Sequence, residues 1–443
     1  MDVILERSHQ LKQALVDFVL DAEGELAKAL ETYAAEQLRR GSGDSTQQDL
    51  IIDSFLTAGK VGEKSPLELF IESHPDLEES DRNLIKSWHH SFIGLFAISN
   101  ILPDGFELTN WLTDKSYIVK PNNTQTLQAI SRLKVGEILL TRISPVTDSY
   151  WMLSGPYTIM GKLGKPKLAV AIGNFKENYK SNLYSDAPDL LEEAWQSVTK
   201  YHQQFVDFFG TDEITLPGYQ LNKKIAEFQE VITEKSFAAA GIDPSKSLAE
   251  VAEAAGIGDE EIKAAAQEFG ADSNVVSQML NSKAGNSKMV MPKVDLPAEL
   301  KKAEQVTALS HPRWGQMFLP TYSKVQAILS TEDWQSVQGA EKLIRYYLED
   351  KSINTFIWHR LAQQYPIQLE NVLQTVLQRP FNLESDLNAL LQEFHKPIEP
   401  ELPDIASVPI HLHNLFQEAL GEVSKSKPKG KGQQKPAKGF QRS

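Results

Sequence analysis

Cysteine is absent from all 443 residues. Its absence excludes disulfides and thiolate metal sites, and makes a reducing, cytoplasmic setting the expectation. Long apolar runs are missing too, since no stretch approaches the roughly 20 residues that span a bilayer. The opening, MDVILERSHQ, is acidic and polar rather than shaped like a secretory leader. A soluble protein is expected, at most peripheral to a membrane. Phosphate loops fail on inspection. GKVGEKS (59–65) ends in Lys-Ser, but Glu63 precedes them where the pattern needs Gly, and Ala58 stands where its first Gly belongs. GIGDEE (256–261) lacks the third Gly of a dinucleotide fingerprint and follows a helical pattern, not a strand. No G-x-S-x-G, H-E-x-x-H or EF-hand pattern occurs. No repeat of fixed period is found, so a solenoid is not established.

What is present is ordinary in amount and uneven in placement. Hydrophobic residues make up 41% and charged residues 23%, the balance of a globular chain long enough for about two to four domains. The net charge is −14. Residues 424–443, SKSKPKGKGQQKPAKGFQRS, hold six Lys and one Arg without an acid, so this stretch carries +7 and everything before it −21. An acidic body with a basic, Gly/Pro-containing tail is the main electrostatic fact. The tail has almost nothing apolar to bury and is expected to be disordered.

The strongest local signals lie in Ser65–Ile98. Ser65 stands three residues before Glu68 with Pro66 between them, a capping box with Pro at the first helical position. Asp76 and Glu79 allow a similar start for a second helix, on which Leu84, Trp88, Phe92, Leu95 and Phe96 recur at helical spacing. Upstream, 3–40 reads as one long helix or a broken pair, 41–47 as a linker, and 50–56 as a short helix. Downstream, SYIVK (116–120), GEILLTRIS (136–144), SYWMLSG (149–155), YTIM (157–160) and KLAVAIGNF (167–175) read as strands of a small antiparallel unit, a compact barrel or curled sheet. GKLGKPK (161–167) would be its hairpin loop. A helix over 189–209 carries Leu191, Trp195, Val198, Tyr201, Phe205 and Phe208 as a stripe able to cover that sheet, and 219–239 gives another helix. From Ala298 to Phe394 helices are expected near 322–330, 332–349, 353–365, 366–378 and 383–394. A Pro/Glu-rich stretch (397–409) leads into a last helix reaching about Glu422.

The fold class expected is α+β, predominantly α: a small antiparallel β-unit flanked by helices, then a helical C-terminal array. The domains expected are 1–48 (helical region and linker), 49–240 (helices with the β-unit), 241–283 (a small Ala-rich unit), 284–297 (linker), 298–423 (helical domain) and 424–443 (tail).

SPLELFIE (65–72), SWHHSFIGLF (87–96), FELTNWLTDKSYIVK (106–120) and KVGEILLTRISPV with YWMLSG (134–155) together resemble an uncharacterised bacterial module found in proteins that carry a SEC-C metal-binding motif. The resemblance covers about 50–180, implies helices preceding a group of strands, and implies no activity. The SEC-C motif itself needs cysteines, so a zinc role implied by the resemblance is dropped. The C-terminal half resembles cyanobacterial or plastid proteins of unknown function.

Residues with possible chemistry also admit plainer roles. His74, His89 and His90 form no metal set, because adjacent helical residues point about 100° apart and no third ligand completes the group. His411 and His413 fall on opposite sides of a helix. SLAEVAEAAGIGDEEIKAAAQE (247–268) is spaced like a helix-turn-helix, but its second helix offers Asp259, Glu260, Glu261 and Glu268 against Lys263, the wrong sign for phosphates. Sequence-specific DNA reading is therefore disfavoured. Lys162, Lys165 and Lys167, near Trp151 and Tyr157, form a mild basic-aromatic set of the kind that binds single strands, although a core Trp and a solvated loop explain it as well. Lys425, Lys427, Lys429, Lys431, Lys435, Lys438 and Arg442 of the tail suit an anionic surface: RNA, a ribosome or anionic lipid. No catalytic, cofactor or metal residue is assigned. Trp88, Trp151, Trp195 and Trp334 are assigned to cores. The reading is a non-catalytic protein-interaction or assembly factor, with an RNA- or ribosome-associated factor as the alternative.

Overall fold

The computed structural model describes residues 2–38, 45–121, 133–239 and 289–426. They form an α+β, mainly helical protein with a small β-barrel and a helical C-terminal half, the class expected. The chain divides into two compact units, Met1–Pro188 with Ile410–Ser443, and Asp189–Pro409. These boundaries differ from the expected ones at 48, 240 and 297. The expected Ala-rich unit (241–283), with its helix-turn-helix spacing, lies outside the described residues.

The first unit opens with α1 (Val3–Leu20), α2 (Glu25–Leu38), α3 (Ser45–Ala58), α4 (Pro66–Ser73) and α5 (Glu79–Ser87). The N-terminal region is thus a broken pair of helices, and α3 reaches back into the expected linker. The capping box forms as written: Glu68 N–H donates to Ser65 Oγ at 3.2 Å, and Ser65 N–H donates to Glu68 Oε2 at 2.7 Å. For α5 the expected cap is not made; Glu78 is the N-cap, without a side-chain bond. The expected helix through Phe96 also ends early, in a 3-10 turn at Trp88–His90. Phe92 begins a strand.

That strand, β1 (Phe92–Leu102), is followed by β2 (Gly105–Asn110), β3 (Ser116–Lys120), β4 (Ile138–Pro145) and β5 (Trp151–Gly161). They close into a barrel in the order β1-β2-β3-β5-β4. Neighbours are antiparallel except β3 and β5, which run parallel with Val119 opposite Trp151. The expected purely antiparallel unit is therefore mixed, and its order is that of the five-stranded OB-type barrel. The expected strands at 149–155 and 157–160 are one continuous β5. The expected strand KLAVAIGNF and its hairpin loop are instead α6 (Lys165–Asn178), with Pro166 in its first turn and Leu168, Ala171, Ile172 and Phe175 buried at helical spacing. Phe92, Phe96, Phe106, Leu108, Val119, Leu139, Ile143 and Leu153 fill the barrel. Its outer wall gives Ile118, Val146, Tyr150 and Met152 to a second core with Leu15, Phe55, Phe70, Ile85 and Trp88 of the helices. The C-terminal helix (Ile410–Ser426) completes this unit and runs past residue 424, where disorder was expected to begin. Residues 427–443 lie outside the described ones.

The second unit holds α7 (Pro188–Phe209), β6 (Glu213–Leu216), α8 (Gly218–Ala239), β7 (Met289–Val290), α9 (Ala298–Lys302), β8 (Val306–His311) and β9 (Gly315–Leu319). α7, expected to cover the β-unit, packs within this unit: Tyr201 and Phe205 meet Phe228 of α8 at 5.3 and 5.7 Å between ring centroids. β6, β8 and β9 form an antiparallel sheet where helix alone was expected after 298. Part of the expected 284–297 linker is β7, paired with β10 (Val408–Pro409). Five further helices follow, α10 (Tyr322–Leu329), α11 (Ala340–Glu349), α12 (Thr355–Gln364), α13 (Pro366–Leu377) and α14 (Leu383–Glu393). Four fall closely where expected, whereas the helix expected over 332–349 begins only at Ala340, after a 3-10 turn at Trp334–Ser336 and Gly339 at positive φ. Ile344, Tyr347, Leu348, Ile353, Ile357, Trp358 and Leu361 lie in one core.

Candidate functional site

The most deeply buried ionic group of the first unit joins its helices to its barrel. Ser8, Lys12, Leu15 and Val19 share the buried stripe of α1, which carries the Lys12 ammonium inward. Lys12 Nζ lies 2.8 Å from Asp53 Oδ1 of α3, and Arg142 Nε of β4 lies 3.5 Å from Oδ2. The three side chains are 9%, 6% and 4% exposed. Ser154 Oγ of β5 donates to Asp53 Oδ1 at 3.0 Å, while Arg142 donates to the Ser91 carbonyl at 3.0 Å and to Thr57 Oγ1. A Cβ on Gly155 would stand 3.2 Å from Asp53 Cγ, so the carboxylate lies close against the glycine backbone. Burial pushes the Asp53 carboxyl up, but Lys12 and Arg142 outweigh it and hold it below its ordinary value. Burial pulls the Lys12 ammonium down. Two cations thus share one carboxylate away from water. The group clamps four elements and opens on nothing.

At the other end of the barrel, Asp186 Oδ2 accepts from Asn110 Nδ2, Thr113 Oγ1 and Tyr117 Oη at 3.1, 2.8 and 2.7 Å. Burial first, then the Asp186 charge, pushes the Tyr117 hydroxyl up. This group fixes the β2–β3 turn to the segment that follows α6.

In the second unit, Arg360 of α12 grips Asp212 through two nitrogens at 2.7 and 3.0 Å and Glu213 at 3.1 Å. His202 Nδ1 is 3.2 Å from Ser310 Oγ. His311 Nδ1 accepts the backbone N–H of Arg313 and Trp314 at 3.0 and 3.1 Å, and its ring meets Phe356 at 4.4 Å. Ser, His and Asp are therefore neighbours, but not a relay. Ser310 is 1% exposed, and the Asp212 carboxylate is taken by the guanidinium rather than orienting the imidazole. Burial holds both histidines below their ordinary value.

The proposed single-strand set is not assembled. The Trp151 ring lies 5.7 Å from Phe92 and 5.2 Å from Tyr117, in the barrel wall, and Tyr157 packs on the same core. Lys162 and Lys167 are exposed, while Lys165 pairs with Glu418 of the C-terminal helix at 2.8 Å. Of the tail residues, Lys425 falls in that helix; Lys427, Lys429, Lys431, Lys435, Lys438 and Arg442 lie outside the described residues. Trp88 and Trp334 are buried, whereas Trp195 is half-buried with the Arg313 guanidinium 4.0 Å from its ring. In the GKVGEKS turn, Lys64 is held by Glu72 at 2.7 Å and Ser65 by Glu68. His74 bonds the Phe70 carbonyl at 2.9 Å, and His411 the Trp111 carbonyl at 2.9 Å. Among the described residues no set of three or more His, Asp or Glu is placed to hold a metal ion, and no helix is long and apolar enough to cross a membrane. The buried clamp, the Asp186 hub and the Arg360 cluster escaped sequence reasoning, since their members are far apart along the chain; Ser154 and Asp53 are 101 positions apart.

Comparison with protein-family models, curated proteins and solved structures finds no match.

Proposed function

We propose that the chain is a non-catalytic interaction or assembly factor, with an acidic body that docks protein and a basic tail that tethers it to an anionic surface. The observation that carries this reading is the segregation of charge, +7 over 424–443 against −21 elsewhere. The converging ionisable side chains fit it, because they pair with one another and join elements of the fold. Retention of the full chain on an anionic polymer, in a salt series with and without 424–443, tests the tether. Deletion should lower the eluting salt concentration and flatten the salt dependence. Unchanged retention would refute it.

A second reading, an RNA- or ribosome-associated factor, is favoured by the strand order of the barrel, since barrels of this type bind oligonucleotides. Against it stand Trp151 and Tyr157, whose rings pack into the wall and leave no stacking platform. Fold alone does not decide between the two.

A further inference from the structure

The C-terminal helix is held at its first turn by the Trp111 carbonyl and further along by Lys165, the first residue of α6. It therefore runs toward the start of α6, where β5 has just ended. Ser426, the last residue described, is about 12 Å beyond Glu418 along that axis.

At that end of the barrel, Ile138 pairs with Gly161 and Leu139 with Ile159, which places Val135, just upstream of β4, beside the end of β5. Val135, Ile159 and Met160 are 49%, 48% and 37% exposed. Lysines surround them: Lys134 and Lys162 are exposed, and the Lys162 side chain runs within 3.7 Å of where a Cβ on Gly136 would be. On α6, exposed Lys167 and Val170 follow at one helical turn, continuing the alternation of cation and aliphatic group. The one carboxylate in the loop, Glu137, accepts the Lys134 backbone N–H at 2.9 Å.

We propose that this end of the barrel docks on an anionic lipid surface, with Ile159, Met160 and Val135 entering the headgroup boundary while Lys134, Lys162 and Lys167 meet the lipid charge. The inference rests on the tether reading and names both its partner and a second, orienting contact. Lipid is favoured over nucleic acid because the exposed side chains are aliphatic. Aliphatic groups gain by leaving water between headgroups, whereas bases need aromatic faces to stack on. Two weak anchors together also hold where either alone would release.

The test is co-sedimentation of the full chain with phosphatidylcholine vesicles, with and without phosphatidylglycerol. The chain should bind only the anionic vesicles. I159S/M160S, confirmed as folded by circular dichroism, removes the aliphatic groups without changing charge, and should lower the partition coefficient about tenfold or more and leave its salt slope unchanged. Deleting 424–443 should flatten that slope. Should I159S/M160S bind as the wild type while the deletion releases the chain, the orienting patch is refuted and the tether stands. Should the deletion change nothing, the tether itself fails. Binding to mixed RNA but not to vesicles, lost in I159S/M160S, would overturn the choice of lipid.

Discussion

Replacing Asp53 with Asn removes one charge and almost no volume, yet the expected cost is large. The Lys12 ammonium, 2.8 Å from this carboxylate, and the Arg142 guanidinium, 3.5 Å from it, would then face each other in a site closed to water. Losing one member of a buried charge set costs about 3–5 kcal/mol, since the uncompensated charge stays in low dielectric. Ser154 still has an acceptor in Asn, so the loss is electrostatic rather than a missing hydrogen bond. The companion substitution K12M reads the opposite way. It leaves Asp53 paired with Arg142 at balanced charge and puts an apolar stem beside Trp88, whose ring lies 5.6 Å from the ammonium. It should cost clearly less than D53N, because no uncompensated charge is left buried. Urea unfolding followed by far-ultraviolet circular dichroism measures both. If D53N unfolds within 1 kcal/mol of the wild type, or if K12M costs as much as D53N, the argument from two cations on one carboxylate is wrong.

Further outcomes concern the caps, the second unit and its turn. S65A removes the Oγ that receives the Glu68 N–H and should cost about 1 kcal/mol in the same urea assay. R360K keeps the charge but loses the fork across Asp212 and Glu213. With Asp212 37% exposed, solvent screening limits the expected loss to about 1–2 kcal/mol, read as a lower thermal midpoint. His311 is held below its ordinary value by burial first and then by the His202 charge, and its Nδ1 must stay unprotonated to receive two backbone N–H groups. The unfolded chain therefore takes up a proton that the folded one resists, so stability is lost as pH falls below about 6.5. H311Q should flatten part of that dependence in thermal melts at stepped pH, and an unchanged profile would discount this residue. A Cβ on Gly218 would stand 1.9 Å from the Leu300 carbonyl oxygen, so G218A should destabilise the second unit by about 1–3 kcal/mol in urea.

Signals carried by a few adjacent residues were legible. The Ser65–Glu68 box and the breaks at Pro366 and Pro380 are written locally, and the helices around them fall where expected. Phe92–Phe96 misleads because the strand is buried on both faces. Its residues do not alternate, and Phe92, Leu95 and Phe96 also satisfy helical spacing. In α6 the β-branched Val170 and Ile172 suggested a strand, while Pro166 and the spacing of Leu168, Ile172 and Phe175 held the better evidence. The clamp was not legible at all. Nothing near Lys12, Asp53 or Arg142 marks them, and only the docking of α1 and α3 on β4 and β5 turns three ordinary surface residue types into one group.

The first unit takes its last wall from beyond residue 410, where Leu412, Leu415 and Ala419 are buried, although its barrel is finished by Gly161. On a ribosome, residues 189–409 must be made before that wall emerges, roughly 10–40 s at ordinary rates of synthesis. Throughout that interval the nascent barrel shows water an apolar flank that no mature copy displays. The barrel is thus walled in only after the second unit has been made, and its greatest exposure to chaperones, proteases and aggregation falls in that interval.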